Sequence, residues 1–251
     1  MKPLFAEKPG GTAHVVPSSR RLERVFFTSM AAAMAITVFA GFARTYYLKP
    51  LFGTPQLTPL LHLHGIVFTS WILLFITQTT LVAGNRTRVH RRLGIVGAVI
   101  ATLMVIIGTG TAIYRAASGP TQLTGPDPLV FLVVPLGDML LFSTLVVAGF
   151  YFRRRPDVHK RMMLFATVAI LPAAVARLPG VVQYGPLAFF GLADLFIVAC
   201  LAYDLVVRRR VHRATVLGGL LIIVSQPLRL MIGGTGAWLT FATWLTQFVE
   251  C

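Results

Sequence analysis

Seven stretches of about twenty apolar residues recur along the chain, near 25–46, 59–83, 93–115, 128–152, 161–178, 186–207 and 214–232. A helix rises about 1.5 Å per residue, so each stretch is long enough to cross a hydrocarbon core roughly 30 Å thick. Inside a bilayer every backbone group must be satisfied within the segment or by closure of a barrel, and windows of this length select helices. The expected fold is therefore all-α, a polytopic bundle of seven transmembrane helices. Composition agrees, with 56% of the 251 residues apolar and only 12% charged, where a soluble domain carries about 25% charged residues. A soluble enzyme, a disordered chain and a disulfide-stapled module are all excluded.

The charges then orient the bundle. Lys and Arg total 23 against 8 Asp and Glu, a formal net charge of +15. With the N-terminus inside, 18 of the 23 basic residues fall in alternate segments. They are Lys2, Lys8, Arg20, Arg21 and Arg24; Arg86, Arg88, Arg91 and Arg92; Arg153, Arg154, Arg155, Lys160 and Arg161; Arg208, Arg209, Arg210 and Arg213. Arg44, Lys49, Arg115, Arg177 and Arg229 remain for the opposite side. This is the positive-inside pattern, and it predicts the N-terminus in and the C-terminus out. The basic segments are short and lie beside the bilayer, which suits anionic lipid headgroups at the cytoplasmic face and not nucleic acid.

Three regions follow. Residues 1–24, rich in Pro, Gly, Ser and charge, read as a mobile cytoplasmic tail, and the first span as an uncleaved anchor. Residues 25–235 form the transmembrane domain. Residues 236–251 read as an amphipathic interfacial helix, with Trp238, Phe241, Leu245 and Phe248 opposite Thr240, Thr243, Gln247 and Glu250. Thr58-Pro59 and Asp127-Pro128 are helix starts, each a capping side chain before a proline at the first helical position. The fifth span is the shortest and carries Pro172. Cys200 and Cys251 lie too far apart in depth to bridge.

One hairpin plan recurs at the basic turns RTRVHRRLG (86–94), RRRPDVHKRMM (153–163) and RRRVHRA (208–214). Asp138 lies 15 residues before Arg153 and Asp194 lies 14 before Arg208, while Arg177 and Arg229 each lie 16 after Arg161 and Arg213. All four therefore sit roughly 21–24 Å from the basic edge. An unpaired charge at that depth is costly, so the ion pairs Asp138–Arg177 and Asp194–Arg229, or the exchanged partners, are expected. Pro135, Pro172 and Pro227 lie within five residues of these charges and free backbone carbonyls near them. Such pairs serve either as static interhelical clamps or as the lining of a polar cavity open to the outer face.

Among the histidines, His62 and His64 form an H-x-H pair, but residues two apart on a helix point to nearly opposite faces and no metal site is expected. His64 shares a helix face with Phe68, Trp71, Phe75 and Gln78, a stripe facing the bundle with His64 at its outer mouth. His90, His159 and His212 sit at the three basic turns, where axial haem ligation is an alternative to capping or headgroup contact. Haem ligands favour apolar surroundings, and these are ringed by Arg and Lys. No Walker motif, G-x-S-x-G elbow or H-E-x-x-H occurs, so no catalytic residue is assigned. Arg229 and the absence of a lysine in the last span argue against a retinal protein.

The segment HLHGIVFTSWILLFITQTTLVAGNRTRVHRRLG (62–94), with PDVHKRMMLFAT and SQPLRL downstream, resembles a class of uncharacterised bacterial multi-spanning membrane proteins. Its marks are a helix with an outer histidine and an H-R-x-x-G turn, here His90 to Gly94. The resemblance implies a bacterial cytoplasmic membrane and carries no activity. From the residues themselves, the first reading is a protein handling a small solute, proton or lipid in an outward-facing cavity built by His64, Asp138, Arg177, Asp194 and Arg229. The alternatives are a haem- or metal-associated redox subunit and a non-catalytic assembly or scaffold protein.

Overall fold

The computed structural model describes residues 17–119 and 127–249, with side chains from Arg20 onward. The readings that fall on residues 1–16, on Glu250 and on Cys251 lie outside the described residues. Among the described residues there is no strand, and seven helices are long and apolar enough to cross a membrane. This is an integral, multi-pass membrane protein.

Helix α1 (Pro17–Phe42) runs into a π-helical turn at Ala43–Tyr47 and a short α2 (Lys49–Phe52). Next come α3 (Pro59–Ala83) and α4 (Thr87–Ala117), then a one-turn α5 (Pro128–Phe131) leading into α6 (Val133–Tyr151). Helix α7 (Pro156–Ile170) continues through Leu171 into α8 (Pro172–Val175). The chain closes with α9 (Gly185–Arg208), α10 (Arg213–Gly233) and α11 (Gly236–Thr246). The expected starts are built as read: the Thr58 hydroxyl accepts from Leu61 N at 3.4 Å, and Asp127 Oδ1 accepts from Leu129 N at 2.8 Å. Tight turns at residues 84–86, 152–155 and 209–212 join α3–α4, α6–α7 and α9–α10, so all three basic turns share one end of the bundle.

Three boundaries differ from the sequence reading, and each has a physical reason. Helix α1 begins at Pro17, so residues 17–24 are helical and not tail. Partners hold this extension: Arg24 donates to Ala83 O at 3.2 Å and to Asn85 Oδ1 at 2.5 Å, and Glu23 pairs with Lys160 at 2.7 Å. The H-R-x-x-G motif is the first turns of α4 and not a loop, because Thr87 to Gly94 continue the helix without a breaker. Arg161, counted above as a loop residue, is inside α7 and 1% exposed.

The fifth span is the centre of the molecule. Leu164, Phe165, Ala166, Thr167 and Leu171 are wholly buried, and α7 packs against α6, α9 and α10. Its weaker apolar signal follows from this position, since its neighbours are protein and not lipid. Trp71 Nε1 on α3 donates to Thr167 Oγ1 at 3.2 Å and satisfies both groups in the core. The outer helices instead present Ile36, Leu73, Ile95, Ile106, Leu140, Val147, Leu195 and Leu217 to the exterior. So large an exposed apolar surface suits hydrocarbon and not water.

Helix α11 docks on the far end from the basic turns. Trp238 Nε1 donates to Leu129 O at 2.8 Å, Ala242 is buried against Ala116 and Leu132, and Leu245 packs beside them. Phe241, Trp244 and Phe248 form an exposed ladder of ring contacts, with centroids 5.9 and 5.4 Å apart. Trp238 and Leu245 therefore face the bundle, while the outward aromatic face includes Trp244, which the helical-spacing argument had left out.

Candidate functional site

The half of the bundle away from the basic turns holds a cavity of about 130 Å³. Late α1 and its π-turn contribute Phe42, Tyr46 and Tyr47, early α3 contributes His64 and Phe68, and early α6 contributes Asp138. Gly108 of α4 and Ala173 and Ala174 of α8 complete the wall. The lining is mostly aromatic and aliphatic, with few polar groups.

Small residues create this space. A Cβ added at Gly41 would lie 2.1 Å from the Ala174 carbonyl oxygen, so only glycine lets α1 approach the α8 backbone. A Cβ at Gly65 would meet the Tyr46 ring at 2.3 Å, and one at Gly108 would meet Met139 Sδ at 2.5 Å. Tyr46 donates its hydroxyl to His62 O at 3.3 Å, and the Tyr47 hydroxyl shares a 2.9 Å hydrogen bond with Thr69 Oγ1. These contacts fix the π-turn against α3.

His64 is the unusual group in this cavity. Its ring stacks on Phe68 with centroids 4.0 Å apart, and its Nδ1 is buried without a hydrogen-bond partner among the described residues. Buried polar atoms nearly always find a partner, so a buried ring nitrogen left over on a cavity-lining residue marks a place for one. Arg177 lies close enough for its charge to act on His64. The sequence reading placed His64 at the mouth of the cavity, and it does line it.

One of the expected charge pairs forms, in the exchanged arrangement. Neither Asp138–Arg177 nor Asp194–Arg229 forms; the exchanged pair Asp138–Arg229 does, at 2.5 Å, with both residues 6% exposed. Packing of α6 against α10 explains the exchange, because Arg229 lies across Gly137, where a Cβ would fall 2.1 Å from its Cδ. Arg229 also donates to Val134 O at 3.1 Å and Ser225 O at 3.2 Å, and packs on Phe190 at 5.1 Å. Asp194 accepts instead from Gln226 Nε2 at 2.8 Å. Arg177 lies over the Phe42 ring at 4.7 Å and donates to Ala173 O at 2.5 Å. The five residues therefore do not make one cluster. His64 and Asp138 line the cavity, Arg229 holds Asp138, Arg177 flanks His64, and Asp194 stands apart.

A second polar centre at the basic end escaped the sequence reading. Arg161 pairs with Asp204, which is 0% exposed, and its Nε donates to Thr215 Oγ1 at 2.9 Å. Asp204 Oδ2 accepts from the Thr215 hydroxyl at 2.5 Å and from His212 N at 3.0 Å. Assigning Arg161 to a loop hid its need for a carboxylate. The available signal was Asp204 itself, a third acid inside an apolar window.

The three turn histidines also separate. His212 caps α10, its Nδ1 accepting from Ala214 N at 3.1 Å. Burial, with the charges of Arg161 and Arg208, pushes its imidazole below the usual histidine range, so the ring is neutral and free to accept. His90 and His159 lie together, with ring centroids 6.1 Å apart. Among the described residues no three of His, Cys, Asp and Glu gather into a metal site, and Cys200 is buried and free. No protein-family model, curated protein or solved structure matches this chain.

Proposed function

We propose that this protein resides in a bacterial cytoplasmic membrane and binds a small amphiphilic molecule, solute or lipid, in the cavity at His64. By the positive-inside rule the basic turns face the cytoplasm, which puts the cavity in the extracytoplasmic half. The observation that carries the reading is the buried Nδ1 of His64, without a partner among the described residues, in a mostly apolar chamber. Ligand sites have this character, a hydrophobic wall with a few placed polar groups that fix orientation. A chamber near 130 Å³ is comparable to cavities of about 150 Å³ that take up a single benzene ring. The buried part of the ligand is thus one ring or a short chain, and its head meets His64 near the positive charge of Arg177. A carboxylate or another acceptor suits that head.

Asp138 and Arg229 form the wall beside this site. Arg229 is already bonded to a carboxylate and two backbone carbonyls, so the pair serves as an interhelical clamp and not as a ligand hook. That saturation is also the observation that favours the second reading, a non-catalytic scaffold whose charges only lock helices.

Thermal unfolding of the detergent-purified protein with benzoate or hexanoate separates the two. Binding predicts a concentration-dependent rise in Tm that is lost in His64→Leu and in Ala173→Phe, which fills the chamber. No shift in the wild-type protein, or a shift that survives both substitutions, overturns the ligand reading and leaves the scaffold.

A further inference from the structure

We propose that His90 and His159, with the thioether of Met163, form a binding site for a single cuprous ion at the basic end of the bundle. His90 sits in the first turn of α4 and His159 in the first turn of α7, and their ring centroids are 6.1 Å apart with planes at 80°. Two metal–nitrogen bonds of about 2 Å laid end to end, with the two ring radii, span roughly 6 Å. The separation is one that two imidazoles sharing an ion can have.

The hydrogen bonding is that of a prepared ligand pair. His159 Nδ1 donates to Gly149 O at 2.8 Å, which leaves its Nε2 as the nitrogen carrying a lone pair. A carbonyl holding the far nitrogen is the usual support of a metal-ligating histidine. His90 Nδ1 is buried and has no hydrogen-bond partner among the described residues. Met163 follows His159 by one helical turn, on the same face of α7. Its Sδ packs onto Gly149, where an added Cβ would lie 2.6 Å away, the same residue whose carbonyl holds His159 Nδ1, so a change of Met163 rotamer is what would bring the thioether to the Nε2 side.

The donor set selects the metal. Two neutral imidazoles and a thioether are a soft, uncharged set, suited to Cu(I) more than to Zn(II), Mg(II) or Ca(II). The electrostatics select the same ion: Arg91 lies beside His90, and Arg153, Arg154 and Arg155 occupy the adjoining turn. A monocation is repelled there about half as strongly as a dication. The site lies at the opposite end from the His64 cavity and does not depend on its occupant.

Titration of the full-length, detergent-purified protein with Cu(I) against bicinchoninate, under anaerobic conditions, tests the site. One equivalent should be retained, and X-ray absorption should show nitrogen and sulfur scatterers around the copper. His90→Ala and His159→Ala should each weaken retention tenfold or more, Met163→Leu should weaken it less and remove the sulfur scatterer, and His62→Ala should leave it unchanged. Wild-type protein that retains no Cu(I) overturns the proposal whether or not the variants fold. Retention indifferent to all three substitutions, or a Soret band reporting haem iron held by these histidines, also overturns it.

Discussion

At the scale of single residues, the two buried Arg–Asp pairs behave as all-or-none devices. Arg161 and Asp204 are enclosed and shared with Thr215, so removing one partner strands the other charge in the core. Arg161→Met alone is expected to cost about 3–5 kcal/mol, and the Arg161→Met, Asp204→Leu double variant far less; thermal melts of the four proteins in one detergent measure the coupling. His212 adds a pH dependence with a definite sign. Its folded pKa lies below the unfolded value near 6.5, so the unfolded chain takes the proton first and stability falls as pH drops below that value. His212→Asn keeps a capping acceptor without a titrating ring, and the difference in Tm between pH 8 and pH 5.5 should narrow. Depth counting from the basic turns made Asp138 and Arg229 legible as partners in the exchanged form. It missed Asp204 because Arg161 had been assigned to a loop, and it could not foresee that Gly137 opens a lane for Arg229 across α6.

At the scale of elements, residue spacing gave the seven spans, the Pro-linked starts at Pro59 and Pro128 and the hairpin turns, because apolar run length and Pro-linked caps are local properties. Which helix stands at the centre is not local. Helix α7 reads as the weakest span, yet it is the most enclosed, and Thr167 at its middle receives the Trp71 indole. Thr167→Val leaves that indole N–H unpaired in the core and is expected to lower stability by about 1–3 kcal/mol, read by melting followed through tryptophan fluorescence. The close crossing of α1 over α8 makes a second test. Gly41→Ala drives a methyl into the Ala174 carbonyl and should part the two helices that wall the His64 chamber. The expected result is lower Tm together with easier alkylation of a cysteine placed at Thr69.

At the scale of the whole molecule, the three basic turns at one end imply one topology. Single cysteines at Asn85 and Val211, in a background without Cys200 and Cys251, should be labelled only from the cytoplasm, and cysteines at Thr54 and Gln183 only from the other side. Reversed labelling would move the His64 chamber to the inner half. The arrangement of helices also has a consequence for biosynthesis. Helix α7 carries a buried Arg161 and only modest apolar character, so on its own it would enter the bilayer with an unpaired cation about one and a half turns from its basic end. Its carboxylate partner emerges from the ribosome more than forty residues later, on α9. The central helix therefore gains its buried counter-charge only when the C-terminal third has been made, and its final packing waits on that segment.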